Sequence, residues 1–316
     1  MNTPKKIFLL LFSFTSFNSF TQTISIPSPW KINNVSKYEL QQQNIGGIYG
    51  EDHFEQSLKT FQIKVIKEFP KPNAGFLVEW KYLSYITAAT DTLEESCPII
   101  DKKFLLQTPI FIRVDQKGTY QGLSDKLDLQ KKYMAFYAKS IKEGSAPFCM
   151  DMLKSNMARG NSFSDIFDAI VPEIQRFFTA FSLLPCDEKG ESVDTTEKFK
   201  SAGGAVTEVP KTFRLKPEII GNDLKVNFEM KVSEKEYKKM FETNTRKAWD
   251  DEGFSTTDSS RIRLEEKLTA FQPKNRQKLE ATFNKTDGSL SSFEFIVDEW
   301  LMMKGGETQK YFFKKQ

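Results

Sequence analysis

Apolar and polar residues alternate without a break through Phe61-Gln-Ile-Lys-Val65, the period of a strand with one buried face. A turn-forming run, Pro70-Lys-Pro-Asn-Ala-Gly75, separates it from the aromatic-rich stretch Phe76–Ile86, so the two predict a hairpin. A loop around Cys97-Pro98 leads into a predicted strand at Phe104–Val114, and the Asp115–Gly118 turn into another at Thr119–Leu123. The middle of the chain changes period. Ser124 predicts the cap of a helix whose apolar face carries Leu127, Met134, Ala138 and Ile141. From Phe163 to Leu184 the apolar positions step by three and four through Ile166, Phe167, Ile170, Ile174, Phe177, Phe178 and Phe181. Pro172 predicts a kink or a split in that helix, and Pro185 its end.

Residues 187–210 are polar and glycine-bearing and predict a long loop or linker. Beyond them, Thr212–Ile219 and Leu224–Val232 predict a hairpin about Gly221-Asn-Asp223. Ser233 and Glu236 form a capping box, so a helix should start there. Arg261–Phe271 alternates and predicts a strand. Lys278–Lys285, Leu290–Met303 and Gln309–Phe313 then read as a meander. Residues 22–52, with Gln41–Gln43 and Gly46-Gly47, read as an extended leader, leaving 53–316 as one α+β domain or two divided within 187–210. Strands in two blocks with helices between them indicate an α+β fold. The expected form is a strongly curved, half-barrel-like antiparallel sheet with the central helices in its concave side.

That order of hairpins, central helices and a long meander with an Asp-Gly turn resembles the half-barrel of periplasmic lipoprotein carriers of the LolA/LolB type. The resemblance spans about 240 residues by the same patterns. It rests on element order, so it implies a shape and transfers no functional residue.

The N-terminus has a destination written in it. Lys5-Lys6, the apolar run Ile7–Phe14 and the polar stretch Thr15–Gln22 have the three-part form of a signal peptide, with cleavage expected between Thr21 and Gln22. The apolar run falls short of the roughly 20 residues that span a bilayer. No cysteine follows it to take a lipid anchor, so a secreted or periplasmic protein is expected, not an integral membrane one. Lys plus Arg number 45 against 42 Asp plus Glu; removing residues 1–21 leaves 43 against 42, a charge of +1. A chain so near neutrality has no general pull toward nucleic acid or anionic lipid.

Composition then removes most catalytic readings. With one histidine, no multi-histidine metal site can form, and the glycine-rich phosphate loops and the Gly-x-Ser-x-Gly elbow are missing. His53, within Glu51-Asp-His-Phe-Glu55, reads as a surface histidine because adjacent strand residues face opposite ways. Acid pairs such as Glu94-Glu95 lack the separation across a sugar site that a glycosidase needs. The oxygen-rich segment 250–258 is a calcium candidate, although it breaks the Asp-x-Asp-x-Asp-Gly pattern. No cofactor is expected. Of Cys97, Cys149 and Cys186, the pair Cys149–Cys186 brackets the central helices and is the expected disulfide in an oxidising compartment. Phe163, Phe167, Phe177, Phe178 and Phe181 form either closed core or an apolar groove for a lipid or acyl chain. The expectation is an exported, non-catalytic binding or structural protein that carries such a ligand. The alternatives are a protein-interaction module at the cell surface and, third, a carboxylate-based hydrolase.

Overall fold

In the computed structural model, which describes residues 23–48, 51–70, 74–89, 97–142, 162–200, 206–251, 259–270, 274–302 and 305–316 with isolated positions 151, 154, 155, 158 and 253, the alternating segments become long antiparallel strands. They are β1 (Thr23–Ile24), β2 (Val35–Ile48), β3 (Glu51–Phe69), β4 (Gly75–Ala89), β5 (Ile110–Asp115), β6 (Tyr120–Leu123) and β7 (Cys186–Asp187). After these come β8 (Glu191–Lys200), β9 (Val206–Ile220), β10 (Asp223–Val232), β11 (Lys274–Asn284), β12 (Leu290–Met302) and β13 (Gly305–Lys315). Eleven of them form one sheet in the order β6-β5-β4-β3-β2-β13-β12-β11-β10-β9-β8, while β1 and β7 make a small ribbon. Every neighbouring pair is antiparallel, and the sheet stays open with β6 and β8 at its edges.

Register turns the period-two pattern into a face. Lys59, Leu40, Phe313, Phe293, Ala281 and Val226 stand opposite one another across six successive strands, and all are buried. Covering this face are α3 (Phe163–Ile170), α4 (Pro172–Thr179) and a 3-10 turn (Ala180–Leu183). Pro172 starts α4 and Val171 breaks from α3, so the proline splits the helix as its missing N–H and fixed φ require. The curvature follows from two contacts of this block. Phe178 stacks on Tyr120 of β6, with ring centroids 6.4 Å apart, while Phe181, one turn later, meets Phe283 of β11 at 5.6 Å. In a flat sheet those strands would be about 34 Å apart, seven spacings of about 4.8 Å. The sheet must therefore wrap around the helix. Trp30 seals one end against Phe178 and Phe181, its indole lying where a Cβ on Gly118 (φ +91°) would fall, 2.3 Å from Nε1.

The remaining helices are α1 (Cys97–Gln107), α2 (Lys126–Lys142), α5 (Glu234–Asp251) and α6 (Ser259–Ala270). The helix at the Ser233 capping box is α5, and its Tyr237 and Met240 cover Val209, Met230 and Val232 in a second cluster. Five segments differ from their sequence reading. Residues 97–107 are helical rather than loop and incoming strand. Residues 259–270 are helix rather than strand, because Arg261 and Leu268, both buried, are seven apart and share a helical face. The α2 helix buries Leu129, Tyr133 and Tyr137, while Leu127 is 74% exposed. Its inner face was hidden because two tyrosines count as polar until their hydroxyls find a partner, here Asp101. Residues 191–200, read as linker, are the edge strand β8, which tolerates polar residues because both of its faces meet solvent. Residues 35–48 of the expected leader are a central strand between β3 and β13.

Candidate functional site

Midway along the concave face the apolar lining is interrupted by charge. Lys59 takes its inward direction from the alternation Ser57, Lys59, Phe61, and is 2% exposed. Glu173 is the second residue of α4, between Ile170 and Phe177 on the helical stripe, and is fully buried. Packing the block into the sheet therefore brings the two together. The Lys59 Nζ lies 2.6 Å from Glu173 Oε1 and donates to Gln42 Oε1 at 3.0 Å. Tyr82 donates its hydroxyl to the same Glu173 oxygen at 2.7 Å, and the Tyr85 ring lies under the ammonium, its centroid 4.5 Å away. The carboxylate also occupies the first turn of α4, where the helix dipole favours negative charge.

The electrostatics hold Lys59 charged and Tyr82 protonated. Burial, the largest single effect, pulls the Lys59 ammonium down, but the charges and hydrogen bonds of Glu173 and Tyr85 together outweigh it and the pKa rises. Burial, and then the Glu173 charge, hold the Tyr82 hydroxyl well above its usual range. An ammonium held charged cannot attack a carbonyl, and a tyrosine held protonated cannot serve as a base. The arrangement ties a helix to a sheet.

The sequence-predicted residues fall as follows. Phe163, Phe167, Phe177, Phe178 and Phe181 all lie in the core, at most 5% exposed. Phe177 touches Tyr38, Phe61, Trp80 and Phe313 within 5.8 Å between centroids. A cleft of about 20 Å³ beside Trp30, Tyr38, Ile63, Phe177 and Phe181 has room for about one water molecule. Cys186 is buried as a free thiol, and burial pushes its pKa up to about 11. Its expected partner Cys149 lies outside the described residues, as do Thr21 and Gln22; Cys97 opens α1. His53 is in β3 opposite Gly46. Of the segment 250–258, Asp250 accepts a hydrogen bond from Arg261 at 2.6 Å, and residues 252 and 254–258 are outside the described set. Among the described residues, no group of three or more His, Cys, Asp or Glu converges as metal ligands, and no helix is long and apolar enough to cross a membrane.

Lys59 and Glu173 escaped the sequence reading. Two signals mark them: a lysine at an inward parity position and a glutamate interrupting an apolar helical stripe.

No protein-family model and no curated protein matches this chain. Among solved structures it is similar to one of lipid-protein interactions in lipovitellin, at 8% identity and a TM-score of 0.43. That alignment covers 91% of this chain and 25% of the other, so the chain spans about a quarter of that protein's length.

Proposed function

We propose that the protein is an exported, non-catalytic binding protein that works through the outside of its sheet, with the helical block as its core. The observation that carries this is the burial of the five phenylalanines expected to line a groove: each is at most 5% exposed, against a wall of aromatic neighbours. Beside Phe177 and Phe181 the described residues leave a cleft of about 20 Å³, too small for an acyl chain. The Lys59 ammonium, held charged against Glu173, speaks against lysine catalysis at the same place.

Native mass spectrometry and lipid extraction of the protein purified from its source test this reading. An apo mass, with no displacement of an apolar dye by fatty acid or phospholipid, is the expected result. A co-purifying lipid would overturn it in favour of a second reading, in which α3 and α4 swing out to admit an apolar ligand. The observation favouring that second reading is the break between α3 and α4, where Val171 leaves the helical conformation ahead of Pro172. Export is tested by the N-terminus of the mature protein, expected at or near Gln22; an intact Met1 would remove it.

A further inference from the structure

We propose that two copies of this chain pair through β8, antiparallel about a two-fold axis at Thr196, so that their sheets join edge to edge. This rests on the surface-binding reading above and names the partner: a second copy.

Among the described strands β8 is hydrogen-bonded only to β9, which leaves the N–H and C=O groups of alternate residues along its other side without a strand partner. Such edges are normally shortened, bulged or broken by proline. The opposite edge, β6, follows that rule with four residues and a register shift beside it. The longer edge β8 has neither proline nor bulge, and Glu191–Thr196 are all exposed, Val193 at 46%. Its concave-side acid, Glu197, is neutralised by Lys211 at 2.7 Å.

Asp194 and Lys198, the latter ion-paired with Glu208 of its own chain at 3.2 Å, are self-complementary. With Thr196 opposite its copy, Asp194 faces Lys198 and Val193 faces Phe199, each pair occurring twice, and Thr195 faces Glu197. The faces agree as well. Phe199 packs on Tyr237 on the concave side, which Val193 shares by strand parity, whereas Asp194 and Lys198 lie on the outer side beside Thr212 and Glu208. Neighbouring registers match less well. Centring between Thr195 and Thr196 sets Glu191 against Lys200 but Asp194 against Glu197, centring on Thr195 matches no opposite charges, and centring on Glu197 sets Asp194 against Lys200 but Glu197 against its own copy. The register that aligns the apolar pair also aligns the charges.

A charge-swap cycle tests it by sedimentation velocity on the mature chain, using D194K, K198D and the double variant. Both positions are exposed, so the variants keep the fold, which far-UV circular dichroism verifies. A dimeric wild type is expected, with association weakened at least about ten-fold in each single variant and restored in the double, because like charges directly opposite destabilise and opposite ones stabilise. A wild type that stays monomeric, single variants that dimerise as well as wild type, or a double variant that fails to recover would each overturn the pairing. Lipid content is read separately on the same samples: retained lipid overturns the surface reading, whereas a lipid-free monomer overturns only the choice of a second copy.

Discussion

Lys59 and Glu173 are 114 positions apart in the chain and 2.6 Å apart in space, and each is tolerable in the core only because of the other. Replacing Glu173 with Gln leaves the ammonium buried with no countercharge, a loss of about 3–5 kcal/mol. Exchanging both residues for apolar ones of similar volume (K59M with E173L) is expected to recover most of that loss, and urea unfolding of the three proteins measures it. The pH dependence has a definite sign. A folded-state pKa raised above the ordinary lysine value means that the Lys59 contribution is complete below that value and is lost as pH rises through the higher one. Stability conferred by the Lys59 charge therefore holds through neutral pH and is lost in strong alkali. Cys186 gives a second expectation at this scale. A buried thiol with a pKa of about 11 should resist alkylation in the native protein and react after unfolding without any reductant. Release only after reduction would mean that it is bridged. Single residues such as these were poorly legible in the sequence. Parity tells which way Lys59 points, but only the docking of two distant elements tells what it meets.

Elements were legible where burial repeats with a clean period and obscure where polar side chains do apolar work. The hairpins at Phe61–Ile86 and Thr212–Val232 and the C-terminal meander came through because their inner residues are aromatic or aliphatic at every second position. Edge strand β8 did not, since neither of its faces is fully buried and its composition is that of a loop. Helix α2 is the instructive miss. Its inner face is Leu129, Tyr133 and Tyr137, the two hydroxyls meeting at Asp101, whose carboxyl is raised by burial despite the hydrogen bonds that lower it. Leu127, which looked like core, is mostly in water. Substitution separates the two faces. Leu129→Ala should cost about 2–5 kcal/mol as a core truncation, and Leu127→Ala should stay within about 0.5 kcal/mol. Equal effects in thermal or urea unfolding would return the helix to its sequence-read orientation.

At the scale of the whole molecule, the first long strand and the last are neighbours. β13 pairs with β2 along eleven residues, from Gly305–Ile48 to Lys315–Tyr38, and with β12 on its other side. Tyr311 and Phe313 are fully buried there, and Phe313 touches both Phe61 and Phe177. Composition alone allowed a division into two domains at residues 187–210. β8 and β9 extend the same sheet that holds β2 to β6. A chain joined this way is expected to unfold as one cooperative unit, with tryptophan fluorescence and far-UV circular dichroism giving coincident urea transitions. Truncation before Gly305 makes the sharper demand. It removes the strand at the middle of the sheet, leaves β2 and β12 with open edges, and strips two full-sized aromatic residues from the core. The loss exceeds the 5–15 kcal/mol that holds a typical domain together, so the shortened chain should lack a cooperative transition altogether. If it instead keeps a cooperative transition of reduced amplitude, the two halves fold independently, and the wrapped sheet is an assembly of two units rather than one.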